Sequence, residues 1–171
     1  MERSFLDLVK QRYSVRGYIP KEVEESKVDY ILECARMAPS AVNKQPWRFI
    51  VVISDEAKEK LRLCYSRDWF NTAPMYIVAC VDSSKAWVRS IDGKNHSDVD
   101  ASIAIEHICL AAADQGLGSC WVCNFDVDKC KESFNIKGEE YPVALIPIGY
   151  PAETDVKGKN RKDVSEIVEI V

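Results

Sequence analysis

Apolar positions recur at helical spacing in some stretches of this chain and as short β-branched runs in others. Val28, Ile31, Leu32 and Ala35 fall at offsets of 0, 3, 4 and 7, which is one apolar face of a helix, and the pattern predicts a helix over Glu22–Met37. Pro39 ends it, because proline has no N–H to donate and disfavours helical geometry in the residue before it. Arg48–Ile53 then reads as a strand, and so does Met75–Val81. Between them, Ser54 followed by Asp55 and Glu56 marks a helix start, acids being favoured at the positive end of the dipole, with the helix running to about Cys64. Ser4 is placed to cap a first short helix through about Gln11.

The second half has a different texture. Residues 82–98 are polar, interrupted only by Ala86, Trp87, Val88 and Ile91, and read mostly as loop. Ala101–Ala113 is apolar nearly all round (Ile103, Ile105, Ile108, Leu110), so that helix needs burial on most sides; packing against a second subunit is one way to achieve it. Gly116 is placed as its C′ residue. Ser119–Cys123 and Val143–Gly149 read as strands, separated by a helix that Asp126 caps, and a last short helix is expected from Asp163. No repeat, low-complexity tract or linker divides the chain, so residues 1–171 are read as one domain, long enough for a core without disulfides or metal.

Composition narrows the class. Charged residues make up 29% and hydrophobic ones 47%, ordinary values for a globular protein. The net charge of −4 argues against a nucleic-acid-binding surface, which carries a basic excess. No apolar run approaches the ~18 residues of a membrane span, and the polar start Met1–Phe5 lacks the apolar stretch of a signal peptide. Seven cysteines form an odd set without scaffold spacing, several of them (Cys34, Cys80, Cys109) in apolar segments. The cytoplasm is the expected location.

Against that acidic background two basic clusters stand out. Arg12, Ser14 and Arg16 alternate with Tyr13 and Val15, so in an extended conformation all three polar side chains point the same way. Two guanidiniums flanking a hydroxyl grip a compact anion such as phosphate. Lys159 and Arg161 repeat the spacing near the other end, where a solvated surface is the alternative reading. A third element is the Ala38–Trp47 connection, whose Ser40, Asn43 and Gln45 both donate and accept hydrogen bonds and suit the edge of a heteroaromatic ring; as plain loop chemistry they would be unremarkable.

Other motifs carry less. Gly116-x-Gly118 follows a helix and precedes a strand, the reverse of a dinucleotide fingerprint, and lacks the third glycine. Cys120 and Cys123 have no second pair or spaced histidines for zinc, and thiols three apart on a strand diverge. His107 reads as a hydrogen-bonded core residue and His96 as a loop residue, neither beside a nucleophile signature. Missing acid–base machinery fits an enzyme whose cofactor carries the reaction.

Arg12-Tyr13-Ser14-Val15-Arg16, the Ala38–Trp47 loop, Gly116-Leu117-Gly118-Ser119-Cys120-Trp121-Val122 and Lys159-Asn160-Arg161 occur in the order seen in the FMN-dependent nitroreductase family. The chain resembles a short member of it from about Phe5 to Arg161. The resemblance implies an α+β fold, a central, mostly antiparallel sheet flanked by helices in an intertwined homodimer, with FMN at the subunit interface. It implies two-electron transfer from NADH or NADPH, by a ping-pong mechanism, to a nitroaromatic, quinone or similar electron-poor acceptor. Arg12, Arg161 and Lys159 would hold the phosphate, Ser14 would support the flavin or its ribityl chain, and Arg16 would lie by the N1/O2 edge. Pro39, Ser40, Ala41, Asn43 and Gln45 would reach across from the other subunit, and backbone groups of Trp121, Val122 and Cys123 would border the ring near O4 and N5. The hydride chemistry belongs to flavin N5, so no catalytic side chain and no metal are expected. Tyr65, Trp69, Phe70 and Trp87 either line an acceptor pocket or pack. Alternatives are a flavin carrier or sensor without turnover, a different flavin reaction such as flavin destruction or reductive dehalogenation, and a cofactor-free interaction domain.

Overall fold

Period-two burial in the strands sets the architecture. In the computed structural model, which describes residues 4–153 and 158–171, four strands form one sheet: β1 Trp47–Val52, β2 Met75–Asp82, β3 Gly118–Ser119 and β4 Glu140–Gly149. Their order is β1-β2-β4-β3 and every neighbouring pair is antiparallel. Met75, Ile77, Ala79 and Val81 point to one face, and Tyr76, Val78 and Cys80 to the other. Both faces are covered, which is why β2 reads as a continuous apolar run rather than an alternating one.

Five helices supply the covers: α1 Phe5–Gln11, α2 Glu25–Arg36, α3 Asp55–Arg62, α4 Ser97–Asp114 and α5 Val127–Ser133. Ile31 and Ala35 of α2 and Ile105 and Ile108 of α4 bury against the odd-numbered side of β2 together with Ile146 and Ile148 of β4. Leu61 of α3 and Cys130 of α5 close the other face with Val15, Phe70 and Leu145. Each large apolar side chain so removed from water contributes roughly 1.5–3 kcal/mol. The caps follow the sequence: Ser4 forms a capping box with Asp7, Ser54 accepts from the Ala57 N–H, and Asp126 from the Lys129 N–H.

The sheet, the helices and the caps match the expected fold class, with local corrections. α2 begins at Glu25, three residues later than its apolar period allowed. The expected Ser119–Cys123 strand shrinks to Gly118–Ser119 plus an isolated bridge from Val122 to Leu145. The expected last helix from Asp163 is a single 3-10 turn, Val164–Glu166, with a capping box. Met1–Arg3, part of the polar start, lie outside the described residues.

α4 ends as its glycine predicts. Gly116 has φ +73°, its N–H donates to Ala113 O at 3.2 Å, and the Leu117 N–H reaches back to Ala112 O at 2.8 Å, a Schellman closure that needs a left-handed residue. α4 is not buried on every side within one chain: Ile103, Glu106, His107 and Leu110 form a half-covered stripe at helical spacing.

A network ties the start of α2 to the end of β4. Tyr150 Oη donates to Glu24 Oε2 at 2.6 Å, and Lys27 Nζ reaches both Tyr150 Oη and Gln115 O at 2.9 Å. The Tyr150 hydrogen bond, with help from Lys21, lowers the Glu24 pKa from 4.5 to about 2. A carboxylate depressed in the folded state stabilises it above its unfolded pKa, and that contribution fades as pH falls from about 4.5 towards 2. Glu24→Gln should therefore unfold at lower urea than the parent at pH 6, with the difference vanishing near pH 2. A gap that persists unchanged to pH 2 would contradict the assignment.

Candidate functional site

The first basic segment is shaped by what surrounds it. α1 ends at Gln11, the Arg12 N–H still bonds Leu8 O at 2.9 Å, and the chain then runs extended beside β3. The Val15 N–H donates to Ser119 O at 2.9 Å, and Ser14 forms a parallel bridge with Ser119. Val15 is buried in the core, which turns Ser14 and Arg16 outward. Gly118 makes this approach possible: a Cβ there would sit 2.4 Å from Val15 Cγ2 and 3.1 Å from Pro151 Cγ. The expected alternation is thus present, with Arg12 half-buried at its start.

The second basic segment comes to the first. Lys159 Nζ donates to Val9 O, in the last turn of α1, at 2.7 Å. Partial burial pushes the Lys159 pKa down, and the positive charges of Arg12 and Arg161 push it further. Cations that repel one another form a site that an anion relieves. Glu106 of α4, 3.3 Å from Arg12 Nε, offsets part of that charge. Among the described residues Arg161 bonds only its neighbour's carbonyl, Asn160 O, at 2.9 Å, leaving most of its donor fork free there. Beside this cluster lie a hollow of about 180 Å³ lined by Arg12, Gly116 and Ser119, and one of about 360 Å³ lined by Ser14, Arg16 and Gly17.

Arg16 points elsewhere. Its guanidinium lies 5.9 Å from the Trp69 ring centroid, a cation–π distance. Trp69 is half-exposed and stacks edge-on with Tyr65 and Phe70. Of the four aromatic candidates, Phe70 is fully buried and serves packing, and Trp87 stacks on His96 at 4.9 Å.

The Ala38–Trp47 connection is strained and internally bonded. Val42, Asn43 and Gln45 all have positive φ (52°, 56° and 47°), a genuine outlier for β-branched Val42. Such residues cost of order 1–3 kcal/mol each and persist only where surroundings over-determine them. The Gln45 N–H donates to Ser40 Oγ at 2.9 Å, Gln45 Nε2 to Asn43 Oδ1 at 2.9 Å, and the Asn43 N–H to Ser40 O at 3.0 Å. Pro39 and the side chains of Asn43 and Gln45 remain exposed, with Ser40 and Ala41 half-covered. No hydrogen bond or ion pair among the described residues joins this loop to Arg12–Arg16 or Lys159–Arg161.

The flavin-edge candidates differ in how their backbones are engaged. The Val122 N–H and C=O both bond Leu145, at 3.0 and 2.9 Å, so this residue's backbone is committed to the sheet. Its neighbours Trp121 and Cys123 keep backbone N–H groups that bond nothing among the described residues, and buried Trp121 Nε1 has no partner either. Cys120 is buried, which pushes its thiol pKa up, while Cys123 is exposed: the pair diverges as the spacing predicts. Among the described residues no group of His, Cys, Asp or Glu could hold a metal ion. His107 Nδ1 lies 3.0 Å from Cys34 O, hydrogen-bonded as expected but half-buried rather than in the core, whereas His96 stands at the N-cap position of α4 without a side-chain capping bond.

Two acids escaped the sequence reading. Glu106 pairs with Arg12, and Asp100, 2% exposed, accepts the Ala41 N–H at 2.8 Å. Glu106 sits in the otherwise apolar stretch of α4, and that mismatch was the available signal; Asp100 precedes the stretch, in an acidic first turn that hides it.

A model of the Nitroreductase family matches residues 9–64 and 58–150. A protein of Methanothermobacter thermautotrophicus, provisionally described as an NADH dehydrogenase/NAD(P)H nitroreductase, is 37% identical over 158 residues, which span 86% of this chain and 78% of that one. The crystal structure of a nitroreductase family protein from Clostridium difficile 630 superposes with a TM-score of 0.89 at 35% identity, over 97% of both chains. An FMN-dependent nitroreductase from Clostridium difficile R20291 gives a TM-score of 0.80 at 30% identity, over 97% of this chain and 98% of its own. The chain belongs to the nitroreductase family.

Proposed function

We propose that this protein is an FMN-dependent NAD(P)H oxidoreductase that works as a homodimer and passes two electrons, by a ping-pong mechanism, to a nitroaromatic, quinone or similar electron-poor acceptor. The observation that carries the reading is the docking of Lys159 on the last turn of α1, in the field of Arg12 and Arg161, which gathers cations from both ends of an acidic chain. An FMN phosphate, with charge of about −1.5 to −2 at pH 7, fits that cluster. The unpartnered donors at Trp121 and Cys123 and the outward Ser14 and Arg16 supply the further groups a flavin needs. The FMN-dependent nitroreductase among the structural relatives supports the same choice of cofactor.

When bound, FMN supplies hydride transfer. The chain's part is to hold and tune it: Arg12, Lys159 and Arg161 fix the phosphate end, Ser14 supports the ribityl side, and Arg16 brings positive charge to the ring. Pro39, Ser40, Ala41, Asn43 and Gln45 face the cofactor from the partner subunit. A dimer is supported by apolar surface that one chain leaves open: α1 buries none of its residues, Phe5 is 70% exposed, and a groove of about 420 Å³ runs beside it between Leu8, Met37 and Leu110.

Purified protein incubated with FMN should keep a yellow flavin spectrum through gel filtration. It should bleach anaerobically with NADH or NADPH and recover its colour with a quinone. Protein that retains no flavin would defeat the proposal; flavin retained but not bleached would leave a carrier or sensor. Arg16→Ala, with its positive charge gone, should lower the flavin midpoint potential while thermal stability holds. An unchanged potential in a flavin-loaded variant would remove Arg16 from that role.

A further inference from the structure

We infer that Asp100 is a positioning residue, its buried carboxylate holding the Ser40–Gln45 loop in the strained shape that faces the cofactor. Asp100 lies in the first turn of α4 and is 2% exposed, far from where a carboxylate ordinarily resides. Oδ1 accepts the Ala41 N–H at 2.8 Å, while Oδ2 is buried with no partner among the described residues. Burying an acid with half its acceptor capacity idle is unfavourable, so the one bond it makes bears on a conformation that needs support. The positive end of the α4 dipole reduces the penalty without supplying a partner for Oδ2.

The loop requires such a fixed point. Directly after Ala41 come Val42, Asn43 and Gln45, all left-handed without being glycine. Its remaining bonds among the described residues lie within the loop, Asn43 and Gln45 to Ser40, Lys44 to Ala41 and Gln45 to Asn43, apart from Pro46 O accepting the Asp82 N–H at 2.8 Å at the strand end. Asp100 is therefore the bond that ties the front of the loop to a rigid helix, 59 residues away in sequence. Because α4 also carries Glu106, the partner of Arg12, one helix sets the positions of both the loop and the phosphate cluster.

The consequence for FMN rests on the proposed function, whereas the anchoring does not, and the experiment separates them. Amide exchange of cofactor-free protein should show Ala41 protected despite its place in a surface loop. In Asp100→Ala, exchange across residues 40–45 should quicken about tenfold and FMN Kd should rise about tenfold, the loss of one hydrogen bond to a charged group. Asp100→Asn, which keeps an acceptor for Ala41, should restore both to within about threefold. Ser97→Ala is the control: it removes a partly buried bond to Tyr141 Oη, 3.0 Å away, from the same turn of α4, and should lower stability without loosening the loop. An unprotected Ala41 amide in the parent protein, or a loop in Asp100→Ala that exchanges at the parent rate, overturns the anchor. A loosened loop with unchanged FMN affinity overturns the positioning role. Should Asp100→Ala not fold, the parent Ala41 protection and Asp100→Asn still decide. Should the parent bind no FMN, the functional reading fails while the exchange arm stands.

Discussion

Arg12→Ala should weaken FMN binding roughly 10- to 150-fold and leave riboflavin binding nearly unchanged. The removed guanidinium is half-buried, stands within reach of Lys159's field, and is braced by Glu106 at 3.3 Å. A charge-assisted hydrogen bond of this kind contributes about 1.5–3 kcal/mol, which sets the expected factor. Riboflavin lacks the phosphate and so reports everything except the interaction in question. The Lys159 pKa should also rise in the variant, since Arg12 repulsion is one of the influences lowering it. Titration calorimetry with both ligands checks the first statement; equal losses for FMN and riboflavin would mean Arg12 supports the fold of the site and not the phosphate.

Gly118→Ala should be the most disruptive single methyl in the molecule's site. The added Cβ meets Val15 Cγ2 at 2.4 Å and Val15 Cβ at 2.9 Å, distances no real contact tolerates. Either Val15 leaves the core or the Arg12–Arg16 segment moves away from β3. Overpacking of this sort costs about 1–3 kcal/mol, or roughly 2–12 °C in Tm for a chain of this length. FMN affinity should fall with it, because Arg12, Ser14 and Arg16 ride on the displaced segment. Adding Val15→Ala removes the 2.4 Å clash but not the 2.9 Å one, so recovery of Tm should be partial. A Gly118→Ala protein with parental Tm and parental FMN affinity would show that the close approach is not needed.

Much of the fold was legible because its signals are local. The α2 face at Val28, Ile31, Leu32 and Ala35, the Ser54 and Asp126 caps and the Gly116 closure each depend on neighbours within a few residues. Strand β3 came out shorter than expected because Cys120–Cys123 looks like strand chemistry, but of those residues only Val122 pairs, with Leu145. The site was half legible for a related reason. Arg-x-Ser-x-Arg announces an anion grip by residue type and alternation alone. That Lys159 comes to α1, and that Glu106 and Asp100 brace the two halves, depends on contacts between residues 59 to 150 positions apart. No window of sequence contains them.

The central claim is that positive side chains from the start and the end of the chain bind the phosphate of FMN together. The most direct measurement is a crystal structure of the protein grown with FMN. The account predicts the phosphate within hydrogen-bond reach, about 2.7–3.2 Å, of Arg12, Lys159 and Arg161, with the Ser40–Gln45 loop of the partner subunit against the ring. A flavin bound with its phosphate in solvent and those three side chains unengaged would contradict it.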